Sequence, residues 1–384
     1  MASLNLFFPE NDLALARDLS RYTAPPAATL LRRSGYTLPI WYADSGDIFY
    51  CERVGRQWMQ HVRDSFGTGV EPFAHNIEAL SPAPWGWSKA ARQFFADLGY
   101  TQQQLPSDSR LEAIRALSHR RTAAKVAGLL ADTLPFDTAP PARELHTIDE
   151  INNFIKAHPQ GTVLKLPWSS SGRGIVATDP ATATAQTGMF EGMLRRQGSV
   201  MAEPLYKKVL DFAMLFNMHS GKCTFAGLSV FTNVQFGSYA GNRLASDSAL
   251  MEQIAALADK DQLETIRDRL ATAIGQCAGA DYEGPLGVDM MIADNAPGRI
   301  VPVTEINFRM TMGHLCRRFY DRYAAQGSEG TFSIRANRPG DTSGVFDAHL
   351  HNGRMDGGTF DMAQPGSHFS FIVSLDDCRA AKNC

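Results

Sequence analysis

The chain has 384 residues, of which 44% are hydrophobic and 20% charged, and it carries a formal net charge of −3 at pH 7. A net charge this close to zero gives no reason to expect a nucleic acid or an anionic membrane as a partner. The six cysteines are scattered without a CxxC pair, which excludes a zinc site of the usual ligand spacing.

The same features predict a cytoplasmic protein whose thiols are reduced. No apolar stretch reaches the roughly 20 residues that a membrane span requires. The first residues lack the basic start and the long apolar run of a signal peptide. A chain of this length is too long for one compact core, so we expect two or three subdomains that share a cleft. No pattern in the sequence indicates an oligomeric state.

The first 110 residues predict a small α/β domain. Apolar runs at residues 4–8 and 38–42 indicate strands, and a helical pattern begins between them at Asp12. Ser88 precedes a further helical pattern and has the side chain of an N-cap. Strands that alternate with helices are typical of the α/β fold class.

Residues 111–204 predict a second subdomain. A moderately basic helical pattern covers residues 109–131, and prolines then mark a connector. Thr147 and Glu150 have the spacing of a capping box at the start of the next helix. Residues 163–166 and 199–203 are predicted to be strands on either side of a further helix.

A lysine within an apolar strand is the main chemical signal of this second subdomain. Lys165 must either extend its charge to solvent or meet an anion. The loop that follows, residues 169–174, is rich in serine and glycine, so its backbone N–H groups can approach a phosphate closely. Such loops are also common linkers. The loop lacks the Gly-Lys-Ser/Thr ending and the following helix of a Walker A motif.

Residues 205–384 predict a third subdomain that is rich in β-structure. The predicted elements are strands at residues 209–219 and 222–232, a helical region at residues 245–277, and a second strand pair at residues 285–293 and 299–307. The two strands of the first pair meet at Ser220 and Gly221, a dipeptide suited to a tight turn. From residue 331 onward, short strands alternate with glycine-rich turns.

The second strand pair brings oxygen ligands together. Side chains two positions apart share a face of a strand, so Glu305, Asn307 and Arg309 point the same way. If the pair closes symmetrically about Pro297, Asp289 lies directly opposite Glu305. Opposed carboxylates repel unless a cation lies between them, and Mg²⁺ prefers hard oxygen ligands. We therefore predict a magnesium site, the alternative being a solvated strand face.

These pieces, taken in order, resemble the ATP-grasp superfamily over residues 120–315, about half of the chain. No single motif is specific, but their ordered combination is. The resemblance implies an α/β (α+β) fold with an N-terminal α/β domain over residues 1–110, a lid over residues 111–204 and a nucleotide- and metal-binding domain over residues 205–384. It implies ATP and Mg²⁺, as two ions, as cofactors.

The resemblance also assigns roles to individual positions. Metal ligands are expected at Asp289, Glu305 and Asn307, and catalytic cations at Lys165 and Arg309. ATP contacts are expected at Lys125, Lys165, Ser170, Ser171, Gly172, Arg173, Glu203, Leu205 and Asp211, with Arg121 as an alternative to Lys125.

The chemistry implied by the resemblance is that of a carboxylate-amine ligase. Such an enzyme phosphorylates a small-molecule or peptide carboxylate with ATP and passes the acyl group to an amine. The alternatives are a phosphotransferase of the same fold and a non-catalytic ATP-binding regulator. A metal-dependent hydrolase built on Asp289 and Glu305 would leave Lys165 unexplained.

Three further features allow two interpretations each. Trp85 and Trp87 can stack on a substrate, although tryptophans beside proline more often pack, which is the interpretation favoured here. His314 is either a substrate contact or a capping or core histidine. Asn242 and Arg243 follow a glycine-punctuated segment that is either a carboxylate-binding loop or a surface turn.

Overall fold

A computed structural model describes residues 2–169, 172, 174–234, 238–338 and 344–377 of the chain. The described strands form three sheets, two of four strands and one of nine. Among the helices of this part of the chain, none is long and apolar enough to cross a membrane.

The N-terminal region is built on a parallel sheet with the strand order β3-β2-β1-β4. Its strands are β1 (Ser3–Leu6), β2 (Ile48–Phe49), β3 (Glu71–Pro72) and β4 (Ser81–Pro84), and its helices are α1 (Asn11–Arg17), α2 (Pro26–Ser34), α3 (Arg56–Phe66) and α4 (Lys89–Asp97). Ser88 caps α4 as predicted, since its Oγ accepts a hydrogen bond from the Ala91 N–H at 3.2 Å.

The strand predicted at residues 38–42 is wrong. Leu38–Trp41 form a short 3₁₀ helix whose side chains are all buried. Pro39 has no N–H to give to a sheet, and the segment makes i to i+3 hydrogen bonds instead, such as that from Tyr42 N to Pro39 O at 3.2 Å. A continuous apolar run cannot by itself distinguish these two structures.

The single helix predicted at residues 109–131 is two helices, α5 (Asp108–Leu117) and α6 (Arg120–Ala131). They lead to residues 143–204, which are called the lid below. The chain breaks at His119, whose Nδ1 caps α6 by accepting from Arg121 N at 3.0 Å. The lid has an antiparallel sheet of strand order β5-β8-β6-β7. Its elements are β5 (Arg143–Leu145), α7 (Ile148–Ala157), β6 (Thr162–Lys165), β7 (Ile175–Thr178), α8 (Ala183–Gln197) and β8 (Val200–Pro204). The predicted capping box of α7 is present.

The remaining strands form an antiparallel sheet with the order β13-β12-β9-β10-β11-β14-β17-β16-β15. Its elements are β9 (Lys208–His219), β10 (Lys222–Val234), β11 (Ser238–Leu244), α9 (Asp247–Ala255), α10 (Lys260–Ala278), β12 (Gly284–Ala293), β13 (Ile300–Asn307), α11 (Met312–Tyr323), β14 (Gly330–Ala336), β15 (Phe346–His351), β16 (Arg354–Asp361) and β17 (Phe369–Leu375). Ser220 and Gly221 form the predicted turn between β9 and β10, with φ of 49° and 75°. The predicted helical region 245–277 is divided, because Asp259 caps a separate helix, α10.

The two faces of this large sheet have different coverings. One face packs Phe212, Met214, Phe216 and Val288 into a core with α6, α9 and α10. The opposite face of its central strands carries the polar side chains described below. Beyond them, the C-terminal strands share a second core with the N-terminal region, in which Trp41 contacts Phe360 with ring centroids 5.0 Å apart. The predicted domain boundaries at residues 110 and 204 therefore divide a chain whose first and last parts share one core.

Candidate active site

A cavity of about 550 Å³ lies over one face of the large sheet, between the N-terminal region and the lid. Because side chains alternate between faces, its floor consists mainly of every second residue on successive strands. In strand order these are Glu305 and Asn307, Asp289 and Met291, Asp211 and Ala213, Ser229, Phe231 and Asn233, Tyr239 and Asn242, Ile334, and Phe369. The lid, α6 and the start of α11 complete the walls.

The oxygen ligands predicted on the second strand pair converge in this cavity. Asp289 is paired directly with Glu305, and Gly287 with Asn307, which confirms the predicted register. Asn307 Nδ2 donates to Asp289 Oδ2 at 3.1 Å. Burial, reinforced by repulsion from Glu305, raises the pKa of Asp289 to about 7. The site therefore disfavours a second negative charge and favours a cation between the two carboxylates.

Four basic side chains surround these acids, and each of them is paired. Arg120 Nη2 lies 2.8 Å from Glu305 Oε2, and Lys165 Nζ lies 2.6 Å from Glu203 Oε1. Lys208 and Arg309 pair with other carboxylates, as described below. Because every pairing involves a nearby carboxylate, an incoming anion competes with an internal partner for the base that it contacts.

Arg309 is held from two sides. Its guanidinium donates to Asn307 Oδ1 at 2.8 Å and forms a bidentate pair with Asp12 of α1, with Nε 3.0 Å from both carboxylate oxygens and Nη2 2.6 Å from Oδ2. Asp12 is a functional candidate that the sequence did not reveal. It belongs to a helix of the N-terminal region, and no local pattern links it to a residue at the end of β13.

The first ATP cation was assigned to Lys125 or Arg121, and the structure brings neither into the cavity. Both side chains are exposed, and Arg121 pairs with Glu144. Arg120 lines the cavity instead. It is the first residue of α6, and its Nη1 donates to Leu166 O at 2.5 Å and to Ser169 Oγ at 2.7 Å. The sequence shows Arg120 as a base within this helical pattern, but it does not show the break at His119, after which α6 begins with Arg120.

The remaining predicted ATP contacts lie around the lid. Gly172 lines the cavity, whereas Ser170, Ser171 and Arg173 lie outside the described residues. Glu203 is buried at the end of β8, and Leu205, just beyond, is 40% exposed.

Asp211, another predicted ATP contact, lies on the cavity floor. It accepts hydrogen bonds from Lys208 at 2.6 Å and from Asn233 at 2.9 Å.

The predicted substrate residues are separated by the structure. Residues 238–244 form strand β11 rather than a loop, so Asn242 and Arg243 point to opposite faces. Asn242 is buried on the cavity floor, and its Nδ2 donates to Ser229 Oγ at 2.5 Å. Arg243 is directed away from the cavity and pairs with Glu329. The two residues therefore cannot hold one carboxylate together.

His314 is a core residue. Its Nδ1 lies 2.9 Å from Thr311 Oγ1, and its Nε2 lies 3.4 Å from Phe216 O. Burial lowers the pKa of its imidazole to about 3, which keeps the ring neutral. Its neighbours Thr311, Met312 and Gly313 line the cavity, but His314 does not.

The two tryptophans beside proline pack in the protein interior. Trp85 is buried with its ring centroid 5.0 Å from that of Phe7, while its edge also lines the cavity. Trp87 packs against Phe95, with the ring centroids 5.8 Å apart. The packing interpretation describes both positions, and Trp85 contributes to the cavity wall as well.

Comparison with known proteins identifies the fold. No family model matches the sequence, and the search of curated proteins finds no significant match. Among solved structures, the chain is similar to biotin carboxylase from Campylobacter jejuni in a β-γ-ATP complex, with a TM-score of 0.53, 12% identity and coverage of 99% of this chain and 89% of that one. It is also similar to the biotin carboxylase domain of 2-oxoglutarate carboxylase from Hydrogenobacter thermophilus, in complex with MgADP, ADP and bicarbonate, with a TM-score of 0.52, 12% identity and 85% of each chain covered. These neighbours are ATP-grasp proteins, and the chain has the ATP-grasp fold that its sequence predicted.

Proposed function

We propose that the protein is an ATP- and magnesium-dependent ligase that activates a carboxylate as an acyl phosphate for attack by an amine or a similar nucleophile. One observation carries the proposal. Asp289, Glu305 and Asn307 converge in a single cavity with the cations of Lys165 and Arg309. A site for phosphoryl transfer needs this combination, because the reaction depends on positioning and on neutralising phosphate charge.

The donor set suits magnesium. Two carboxylates and one amide supply only hard oxygen atoms, and Mg²⁺ is commonly held by one or two carboxylates together with substrate phosphates. Among the described residues there is no group of three or more His, Cys, Asp or Glu that would hold a metal without such help. Asp289, Glu305 and Asn307 would hold the ion, which would polarise phosphate oxygens and offset their charge.

The nucleotide would lie between the lid and the floor. Lys165 and Arg120 would bind its phosphates together with the loop that contains Gly172. Glu203 and Leu205, at the end of the lid sheet, would contact the adenine. Asp211 would accept a hydrogen bond from the ribose. Lys165, Arg120, Gly172 and Asp211 line the cavity, and Glu203 pairs with Lys165.

The proposed reaction has two steps. A carboxylate oxygen of the acid attacks the γ-phosphorus, and the bond to the bridging oxygen breaks, which releases ADP. The nucleophile then attacks the acyl carbon, loses its proton, and phosphate leaves. Lys165 and Arg309 would stabilise the negative charge that develops on the transferred group. No protein nucleophile is required.

Hydroxylamine tests the proposal without knowledge of the natural amine. With ATP, magnesium and a suitable acid, it should intercept the acyl phosphate and give a hydroxamate. Lys165→Ala should abolish this product, whereas Lys222→Ala, which removes an exposed lysine at the far end of β10, should not. A stable phosphate ester in place of the hydroxamate would establish the phosphotransferase alternative. ATP binding with neither product would indicate a regulator.

A further inference from the structure

The charged residues of the cavity are confined to one side of it. Among its described lining residues, all the acids and bases belong to the lid, to α6, or to the region of β9, β12 and β13. The strands β10, β11, β14 and β17, the N-terminal region and the start of α11 contribute only uncharged side chains. Since four strand intervals separate β12 from β14, the floor extends by roughly 19 Å from the acidic cluster to Ile334.

An apolar wall closes the uncharged side. We call it the neutral end, and it consists of Pro9, Leu31, Trp85, Met312, Ile334 and Phe369. The wall is assembled from three parts of the chain: two loops and a helix of the N-terminal region, the start of α11, and the strands β14 and β17.

Hydrogen bonds fix the parts of this wall against one another. The Phe369 N–H donates to Ser34 Oγ of α2 at 3.0 Å, which places β17 against the helix that carries Leu31. Arg32 and Glu10 form a buried pair at 2.7 Å, which holds α2 to the loop of Pro9. A second ion pair, between Arg309 and Asp12, also lies near the wall, because Met310 N donates to Trp85 O at 2.8 Å. Of these four charged residues, only Arg309 lines the cavity. These contacts hold the parts of the neutral end in fixed positions relative to one another.

The polar groups next to the neutral end are uncharged and already satisfied. Asn242 donates to Ser229 Oγ and accepts a hydrogen bond from the Tyr239 hydroxyl. A charged group placed here would lose water and find no opposite charge among the described lining residues. An apolar group would instead gain from burial.

We infer that the acid activated by this enzyme has an uncharged, largely apolar body, which lies against the neutral end while its single carboxylate faces Lys165 and Arg309. The inference rests on the proposed ligase function. It assigns the wall to the acid rather than to the amine, because phosphoryl transfer first requires the acid to be positioned against the nucleotide.

Three twelve-carbon acids that differ only at the far end provide the test: dodecanoate, dodecanedioate and 12-aminododecanoate. A chain of this length is needed for the far end to approach Ile334 while the carboxylate faces Lys165 and Arg309. Hydroxylamine replaces the natural amine, so that the assay reports on the acid alone. We expect kcat/KM for hydroxamate formation to be at least about tenfold higher with dodecanoate than with either of the other two acids. Preference for dodecanedioate or 12-aminododecanoate would overturn the inference while leaving the ligase function intact.

A charge placed in the wall should change the selectivity. Ile334→Lys should shift the ratio of kcat/KM for dodecanedioate to that for dodecanoate upward by at least about tenfold, and Phe369→Lys is a second variant should the first fail to fold. Leu19→Lys is the matched control, since Leu19 is 55% exposed and lies outside the cavity. Unchanged selectivity in both folded wall variants would contradict the inference.

Calorimetric binding separates this inference from the proposed function. It is measured with magnesium, a non-hydrolysable ATP analogue and each of the three acids. If no acid yields a hydroxamate but dodecanoate binds most tightly and Ile334→Lys reverses the order, the ligase function fails and the assignment of the neutral end stands. If binding shows no preference either, the assignment fails as well.

Discussion

Arg309 and Asp12 are 297 positions apart in the sequence, and they form a bidentate ion pair through which Asp12, outside the cavity, holds the lining residue Arg309. Their side chains are only 15% and 14% exposed. The pair connects helix α1 of the N-terminal region to the end of β13, and Arg309 continues the connection through Asn307 to Asp289. The proposed metal ligands are thus oriented in part by a residue from the opposite end of the chain.

Loss of Asp12 should destabilise the fold. Asp12→Asn leaves the Arg309 charge buried without its partner, and we expect the free energy of unfolding to fall by about 3 kcal/mol. Denaturant unfolding measures the change. Asp18→Asn is the control, because Asp18 pairs with Lys89 at a more exposed site and should cost less than about 1 kcal/mol. Equal losses in the two variants would show that the Asp12 pair has no special role.

The proposed metal site is tested by Glu305→Gln, which keeps the size of the side chain and removes one negative charge. We expect turnover to fall by at least about a hundredfold, the scale associated with loss of preorganised charge, and ATP binding to weaken less. Asp294→Asn removes an exposed acid from the turn of the same strand pair and should leave turnover unchanged. Near-normal turnover of Glu305→Gln would show that this strand pair is not the metal site of the reaction.

Three variants decide which base of α6 binds phosphate. Arg120→Met should weaken binding of magnesium-ATP at least about tenfold, because a charged hydrogen bond contributes about 1.5–3 kcal/mol. Lys125→Met and Arg121→Met should bind normally, since both side chains face away from the cavity. Calorimetry gives the affinities, and the unfolding temperature of each variant shows whether the fold is retained. Weaker binding in Lys125→Met alone would restore the assignment made from the sequence.

Acid should destabilise the protein through two buried histidines. Burial lowers the pKa of His314 to about 3 and that of His119 to about 4, from an ordinary value of 6.5. Below pH 6.5 these histidines therefore bind protons in the unfolded chain but not in the folded chain. The free energy of unfolding falls as the pH decreases toward 4.

The decrease between pH 7 and 4.5 should be about 2 kcal/mol for each histidine. His314→Gln should flatten the dependence of the unfolding free energy on pH, whatever its effect at neutral pH. His219→Gln, at an exposed position, should leave the slope unchanged. The same slope in the wild type and in His314→Gln would exclude the imidazole as the cause.

Local regularities made much of the site predictable. A symmetric closure about Pro297 predicts the pair of Asp289 with Glu305, and strand alternation places Asn307 on the same face. The structure reaches this pair through a register shift between Asp289 and Met291, which the sequence did not indicate. The caps of α4 and α7 were predictable for a similar reason, since the side chain and the N–H that it accepts from are three residues apart.

Features that depend on distant parts of the chain were not predictable. Asp12 has no sequence signal as a partner of Arg309, because the pair joins residues 297 positions apart. Arg120 was passed over because the break between α5 and α6 covers only Ser118 and His119 and is set by a local cap. Arg243 was grouped with Asn242 because their segment was predicted to be a loop. It is a strand, and neighbouring side chains on a strand point to opposite faces.

The shared core of the N-terminal region and the C-terminal strands has a consequence for synthesis of the protein. Trp41 leaves the ribosome early, whereas its neighbour Phe360 and the strand β17 follow more than three hundred residues later. At about 5–20 residues per second the delay is roughly 15–65 s. During that interval the nascent N-terminal region cannot complete its core, so its large aromatic side chains are exposed to whatever chaperone the cell provides. The N-terminal region therefore cannot finish folding before the C-terminal strands have been synthesised.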